Sequence, residues 1–212
     1  NFISNNMKIL EKITKIFLSI KSKMILSVLL LKGIKVHKTT QFRCMPFLKL
    51  NGKPENIIIG CNVIFHGSVD LRNRENGKII IEDNVIIEDG CRFVAAKEGI
   101  IKIGKNTIIT NGAIMNGGGN ILIGSGCIFG PYNVINANEH KIGSNDFIRD
   151  KEFVYGDIEI GNNVWTGAFI SIKKNVNIKD NSIIGAHSFV TNDTKKNSIN
   201  YGTPSKFIRF RD

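Results

Sequence analysis

The sequence predicts an all-β solenoid: a parallel β-helix of about six coils, preceded by an N-terminal helical segment and broken once by an excursion loop. Three observations carry this. From Ile160 an aliphatic or β-branched residue recurs every six positions, through Thr166, Ile172, Ile178, Ile184 and Val190. Sets of three such residues recur at eighteen plus a small excess: Ile59, Phe65 and Leu71, then Ile81, Ile87 and Phe93, then Ile103, Ile109 and Met115, then Ile123, Phe129 and Ile135. Between Ile123 and Ile160 the step grows to 37 residues, one coil and nineteen more.

The first element is residues 1–56. Residues 1–6, before Met7, read as a leader or a non-native remnant and are set aside from the fold. The segment holds 11 Lys and Arg against 2 acids, +9, whereas residues 57–212 hold 18 against 16, +2, so the +11 of the chain is concentrated at its start. Leu10, Ile13, Phe17, Ile20, Met24, Val28 and Leu31 recur at three- and four-residue steps. That is the period of one or two amphipathic helices. Lys12, Lys15, Lys21 and Lys23 interrupt the run too often for a membrane span. Two partners stay open for the apolar stripe: this protein or a neighbouring subunit, and a membrane surface met through residues 8–31. A basic arm also suits an acidic polymer. Nucleic acid is excluded, since the charge lacks the aromatic interleaving such a surface needs.

The second element is the solenoid, residues 57–198. A period of six fits no helix, and simple strand alternation would run on at two without resetting. It fits a short extended side followed by a turn, and three such sides close a triangle of eighteen residues. Val164, Ile170, Val176, Ser182 and Ser188, four residues after each inward position, are small or β-branched. Stacked coils pair about 4.8 Å apart, so six make a prism roughly 29 Å tall. Gly60, Gly104, Gly124, Gly161 and Gly185 each follow an inward Ile, at corners that require an unusual backbone angle or a tight approach. A β-sandwich does not hold a six-residue phase over thirty residues. Spacing leaves the hand of the helix open.

The nineteen extra residues make the excursion, about 136–157, entered through "NVINANEHKIG" at 133–143. Residues 199–212 form a C-terminal tail. Cys44, Cys61, Cys91 and Cys127 stand alone, with no paired spacing for zinc, and no metal is expected. Cys91 and Cys127 occupy inward positions, where Cys serves as a small apolar residue, and the pattern fits a reducing, cytoplasmic compartment, at the inner face of the membrane if residues 8–31 bind it.

The stretch "IEIGNNVWTGAFISIKKNVNIKDNSIIGAHSFVTND" (158–193) followed by "YGTPSKFIR" (201–209) resembles the hexapeptide-repeat acyltransferases, in the branch of maltose, galactoside, capsule and lipopolysaccharide O-acetyltransferases. The resemblance extends over residues 57–209. It implies a left-handed β-helix and a homotrimer, with acetyl-CoA as co-substrate between adjacent prisms and a catalytic His at the start of the excursion. That His is His140, in "NEH", twenty-five residues before Trp165. A sugar hydroxyl is almost wholly protonated at neutral pH, and a neutral imidazole of ordinary pKa about 6.5 takes its proton as it attacks the thioester. A backbone N–H aimed at the developing oxyanion would stabilise it.

The resemblance also implies cofactor contacts. Trp165, the only Trp, lines the cleft; Gly167 and Ala168 let the backbone approach; Ala186 and Thr191 meet the pantetheine and adenosine parts. Pro204, Lys206 and Arg209 belong to the C-terminal segment, its two cations near the phosphates. Asn192 stands where relatives often carry Lys, which weakens that contact. For the acceptor, "TNGAIMNGGGN" at 110–120 lacks the acid found in galactoside-type relatives, and Asn116, Asn138 and Glu139 are the candidates. Its glycines either clear space for a bulky acceptor or turn a corner. Glu139 either orients His140, meets the acceptor or is solvated. His37 lies outside the repeat, His66 points outward, and His187 replaces the second Gly of the usual "GAGS".

The implied function is acetyl transfer from acetyl-CoA to a hydroxyl of a sugar in a surface glycoconjugate, capsule or lipopolysaccharide. N-acetylation of an amino sugar uses the same groove and is the alternative, and a non-catalytic β-helix scaffold is the second. A scaffold has no use for the combination of His140, Trp165 and Lys206.

Overall fold

The structure is a computed structural model that describes residues 2–143, 147 and 150–212. Three parallel sheets wrap one core into a triangular left-handed β-helix. The first sheet runs Lys35–Val36, Ile57–Ile59, Lys78–Ile81, Ile100–Ile103, Ile121–Ile123, Ile158–Ile160 and Val176–Ile178. The second runs from Gln41–Phe42 through Ile64–Phe65, Ile86–Ile87, Ile108–Ile109, Ile128–Phe129 and Trp165–Thr166 to Ile183–Ile184. The third runs from Phe47–Gly52 and Val69–Glu75 up to Ser171–Lys173 and Phe189–Val190.

Every inward position predicted from the period of six is buried, at 3 % exposure or less, including Thr166. So are Val164, Ile170, Val176, Ser182 and Ser188. Cys91 and Cys127 lie inside too. Burial pushes the Cys91 thiol up to about 11 and raises that of Cys127.

There are seven coils, not six. The extra one spans Lys35–Gly52, inside the segment read as N-terminal and helical. Its inward residues Val36, Phe42 and Leu48 keep the six-residue phase, but Val36 and Leu48 are only partly buried, and the coil's many cations masked the pattern. At 4.8 Å per coil the prism is roughly 34 Å tall.

The corners explain the repeat. Asn62, Asn84, Asn106, Asn163, Asn181 and Asn197 take left-handed backbone angles at the corner between the first and second sheets. Asn tolerates that conformation. Their side chains form a ladder from coil to coil, with amide-to-oxygen distances of 3.2, 3.1, 2.8 and 2.7 Å. Gly126 takes the same angle in the fifth coil, which lacks Asn there. The glycines after the inward isoleucines are needed for close approach and not for a left-handed angle: a Cβ on Gly124 would stand 2.6 Å from the backbone of Gly161.

One helix, α1, spans Phe2–Leu31, and so includes residues set aside as leader or remnant. Ile25 and Leu29 bury against the first coil, and the Phe42 N–H donates to Ser22 Oγ at 3.0 Å. The stripe predicted from sequence lies on another face: Leu10, Ile13, Phe17, Ile20 and Met24 are more than half exposed. No described helix is long and apolar enough to cross a membrane.

Candidate functional site

The excursion leaves the third sheet after Val134–Asn136 as a β-hairpin. Asn138–His140 pairs antiparallel with Phe153–Tyr155, setting His140 opposite Phe153. Residues 144–146 and 148–149 of the predicted loop lie outside the described ones. His140 is exposed, and its ring rests on that of Phe153, centroids 4.2 Å apart. The imidazole therefore stands away from the prism on an aromatic support, and among the described residues no hydrogen bond engages its nitrogens.

The hairpin is tied down from both sides. Asn138 Nδ2 donates to the Gly117 carbonyl at 3.0 Å, and Asn116 Nδ2 donates to Asn136 Oδ1 at 2.9 Å. Both Asn candidates for the acceptor thus brace the base of the hairpin. Glu139 has no contact with the His140 ring and, with its side chain 41 % exposed, bridges Lys173 at 3.5 Å and Lys174 at 3.6 Å. The glycines of "NGGGN" have a local use. A Cβ on Gly118, where φ is +145°, would meet the Tyr155 ring at 2.3 Å, and one on Gly119 would meet Gly156 backbone at 2.5 Å. They admit the returning strand of the hairpin against the prism.

The predicted cofactor residues fall elsewhere on the triangle. Trp165 sits on the second sheet, pointing out and 53 % exposed, in register with Ile128 below and Ile183 above. Gly167, Ala168 and Ala186 form the corner between the second and third sheets. There the coils touch: a Cβ on Gly130 would stand 2.5 Å from Gly167, and one on Gly167 would stand 2.7 Å from Ala186. Thr191 follows the last strand of the third sheet, at its far end, and accepts from Asn192 Nδ2.

Pro204 lies in the turn of the tail, after a cis peptide bond. Lys206–Phe210 returns antiparallel along Ser198–Tyr201 as the edge of the second sheet. Lys206 is exposed and forms no ion pair among the described residues. Arg209 pairs with Asp212 at 3.1 Å. Within one chain no hydrogen bond, ion pair or ring contact joins His140 to Trp165, to the Gly167 corner or to the tail.

Sequence reasoning missed two features. One is Phe153, which carries the imidazole; its place opposite His140 depends on a hairpin register that no repeat announces. The other is an aromatic column beside the Gly167 corner. Tyr132, Phe169 and His187 all take left-handed backbone angles, with φ of 57 to 59°. Their rings stack at 5.1 Å from coil to coil. Asn or Gly holds this angle at most other corners, with Glu75 and Lys97 the exceptions, and a bulky residue in it is strained. His187 is thus one rung of a column, not an isolated replacement of Gly. No group of His, Cys, Asp and Glu that could hold a metal occurs among the described residues.

Comparison with known proteins agrees with this geometry. The family described as bacterial transferase hexapeptide (six repeats) matches residues 157–192. The galactoside O-acetyltransferase of Escherichia coli (strain K12) is 35% identical over 89 residues, covering 42% of this chain and 43% of that protein. Among solved structures, the polySia specific acetyltransferase NeuO covers 84% of this chain and 85% of its own, at 25% identity and a TM-score of 0.50. The polysialic acid O-acetyltransferase OatWY covers 84% of each at 23% identity and a TM-score of 0.60, a likeness of fold. The chain spans from two fifths to two thirds of the length of the curated relatives it matches.

Proposed function

We propose that this chain, whose coils carry bacterial transferase hexapeptide repeats, is an acetyl-CoA-dependent O-acetyltransferase acting on a sugar hydroxyl of a surface glycoconjugate. The observation that carries the reading is His140, an exposed imidazole held on a braced hairpin outside a rigid prism. The activities of the galactoside O-acetyltransferase and of the polySia specific acetyltransferase support it.

The chemistry asks little more of the chain than placement. Acetyl-CoA, as co-substrate, supplies the activated acyl carbon. His140 accepts the hydroxyl proton while the sugar oxygen bonds to that carbon, and it returns the proton to the departing thiolate. Phe153 fixes the ring, and the Asn138 and Glu139 contacts fix the strand beneath it. Backbone at the Gly167–Ala168 corner can lie close to an extended ligand because no Cβ intervenes at Gly167. Lys206 offers a free cation for a phosphate.

The reading requires more than one copy of the chain, since His140 and Trp165 stand on different sides of a single prism. The outside of the second sheet suits such an assembly. Ile64, Ile86, Ile108, Ile128, Trp165 and Ile183 form a continuous apolar column along it, half of Ile128 and Trp165 being open to solvent. A homotrimer, with three such faces meeting three hairpins, completes three sites. The exposed stripe of α1 has the character of a membrane-surface helix, apolar with Lys21 at its margin. On this reading the enzyme works in the cytoplasm, against the inner face of the membrane.

The test is His140→Ala. Loss of a general base costs about 10²- to 10⁴-fold in kcat. The hairpin is an excursion, so trimer formation, thermal stability and acetyl-CoA affinity should hold. A variant that keeps full activity on an accepted sugar would place the base elsewhere.

A further inference from the structure

A second feature lies at the other end of the molecule, where α1 crosses the first coil. The two elements enclose a cleft of about 550 Å³. Lys15 and Lys23 reach it from the helix, Lys38 and Arg43 from the coil, with Gln41 and His66 on its wall. No acid lines it, and the only acids in residues 1–56 are Glu11 and Glu55. Among the described residues none of the four cations forms an ion pair, whereas Lys102 higher on the prism pairs with Glu82 at 2.9 Å. His66 Nδ1 is shielded from solvent without a hydrogen-bond partner. By register, Glu88 stands one coil above His66 and outside the cleft.

Four unpaired like charges around one opening repel one another, and that repulsion is relieved by an anion between them. We infer that this cleft binds an acidic glycan through its repeated anionic groups, and so holds a polymeric acceptor at a distance from the transfer chemistry. The inference rests on the proposed function for the role of the glycan, but not for the binding itself.

Two observations choose the occupant. Lys15 and Lys23 are eight residues apart, about 12 Å along the helix, so a single small anion cannot meet both, whereas a chain with a charge on successive sugars can. A lipid headgroup fits poorly. The residues of α1 that line the cleft lie roughly half a turn away from the exposed stripe of Leu10, Ile13, Phe17, Ile20 and Met24. A bilayer that took up the stripe would leave the cleft facing away from it. The helix would then meet the membrane on one side and the polymer on the other.

The experiment is direct binding to the full chain without acetyl-CoA, by calorimetric titration at low salt. The probes are a sialic acid oligomer, inorganic phosphate, a neutral dextran oligomer and vesicles containing phosphatidylglycerol. The sialic acid oligomer should bind, and Lys38→Gln with Arg43→Gln should weaken it about tenfold; Lys15→Gln with Lys23→Gln should do the same. All four side chains are exposed, so the variants should melt as the wild type does. Both losses should shrink toward nothing at about 0.5 M salt, where charges are screened within a few ångströms. His140→Ala should bind the oligomer unchanged, which separates this site from the chemistry. Undiminished binding by both double variants overturns the proposal. So does a wild type that binds phosphate as tightly as the oligomer, or one whose vesicle binding, and not its oligomer binding, responds to Lys38 and Arg43.

Discussion

Gly124→Ala measures how tightly the coils are stacked. The added Cβ would stand 2.6 Å from the carbonyl carbon and oxygen of Gly161 and 2.8 Å from the Asn162 nitrogen. Those are backbone atoms and cannot rotate away. Comfortable carbon contact begins near 3.5 Å, so the coils must part by about 0.8 Å at this corner. Three hydrogen bonds hold it: Gly124 N–H to Ile160 O at 2.7 Å, Ser125 N–H to Asn162 Oδ1 at 2.8 Å, and Asn163 N–H to Ser125 O at 2.9 Å. Opening stretches the first to about 3.5 Å, the end of the useful range. Three bonds at ~1 kcal/mol each give a loss of about 3 kcal/mol. Gly126→Ala, two residues on, is the control. It has φ +69° and nothing within 4 Å of an added Cβ, so its cost is the left-handed backbone alone, ~1–2 kcal/mol. Gly126→Asn places in this coil the residue that Asn106 and Asn163 supply on either side, and should equal the wild type or exceed it by up to ~1 kcal/mol. Guanidinium unfolding followed by circular dichroism should rank the variants Gly126→Asn, Gly126→Ala, Gly124→Ala, from most to least stable. A Gly124→Ala protein as stable as Gly126→Ala would refute the stacking argument.

Two further outcomes concern pH and the cofactor. The Cys91 thiol titrates near 9.0 when unfolded and at about 11 when folded. The folded state therefore holds the proton longer, and stability contributed below pH 9 is lost as pH rises from about 9 to about 11, by roughly 2.7 kcal/mol over the two units. Denaturation midpoints at pH 8 and pH 11 should diverge more for wild type than for Cys91→Ala, and equal slopes would contradict the assignment. For the cofactor, dephospho-CoA should bind less well than CoA, and Lys206→Gln should remove the difference; equal binding to the wild type would free Lys206 of that role.

Most of the fold was legible because the inward ladder is a strict function of spacing. Ile160 to Val190 could be counted off in sixes and the earlier coils in sets of three from Ile59, and burial leaves no freedom in which residues fill those places. The first coil was harder to see, because at the open end of a solenoid Val36 and Leu48 are half covered and their apolar character is diluted by cations. The angle-setting residues were only half legible. Asn after "Ile-Gly-x" marks a left-handed corner, but Tyr132, Phe169 and His187 hold the same angle with side chains that no propensity assigns to it. At the site, His140 and Trp165 stood out as single unusual residues in regular surroundings. The tasks of Asn116, Asn138 and Glu139 did not, since their partners Gly117, Asn136, Lys173 and Lys174 are set by coil register and by where the hairpin folds back. The direction of the α1 stripe was read correctly as apolar, but which face packs was decided by Ile25 and Leu29 against a coil that the period had not revealed.

The central claim is that one active site is built from two chains, the base from one and the cofactor cleft from its neighbour. Mixed trimers test it. His140→Ala and Trp165→Ala chains, each nearly inactive alone at acetyl-CoA well below KM, are unfolded together and reassembled in equal amounts. Each interface then has about one chance in four, one half times one half, of pairing an intact His140 with an intact Trp165. The mixture should recover about a quarter of wild-type activity per site, and neither variant refolded alone should recover any. If the mixture stays as inactive as its components while sedimenting as mixed trimers, the two residues serve within one chain, and the shared site is contradicted.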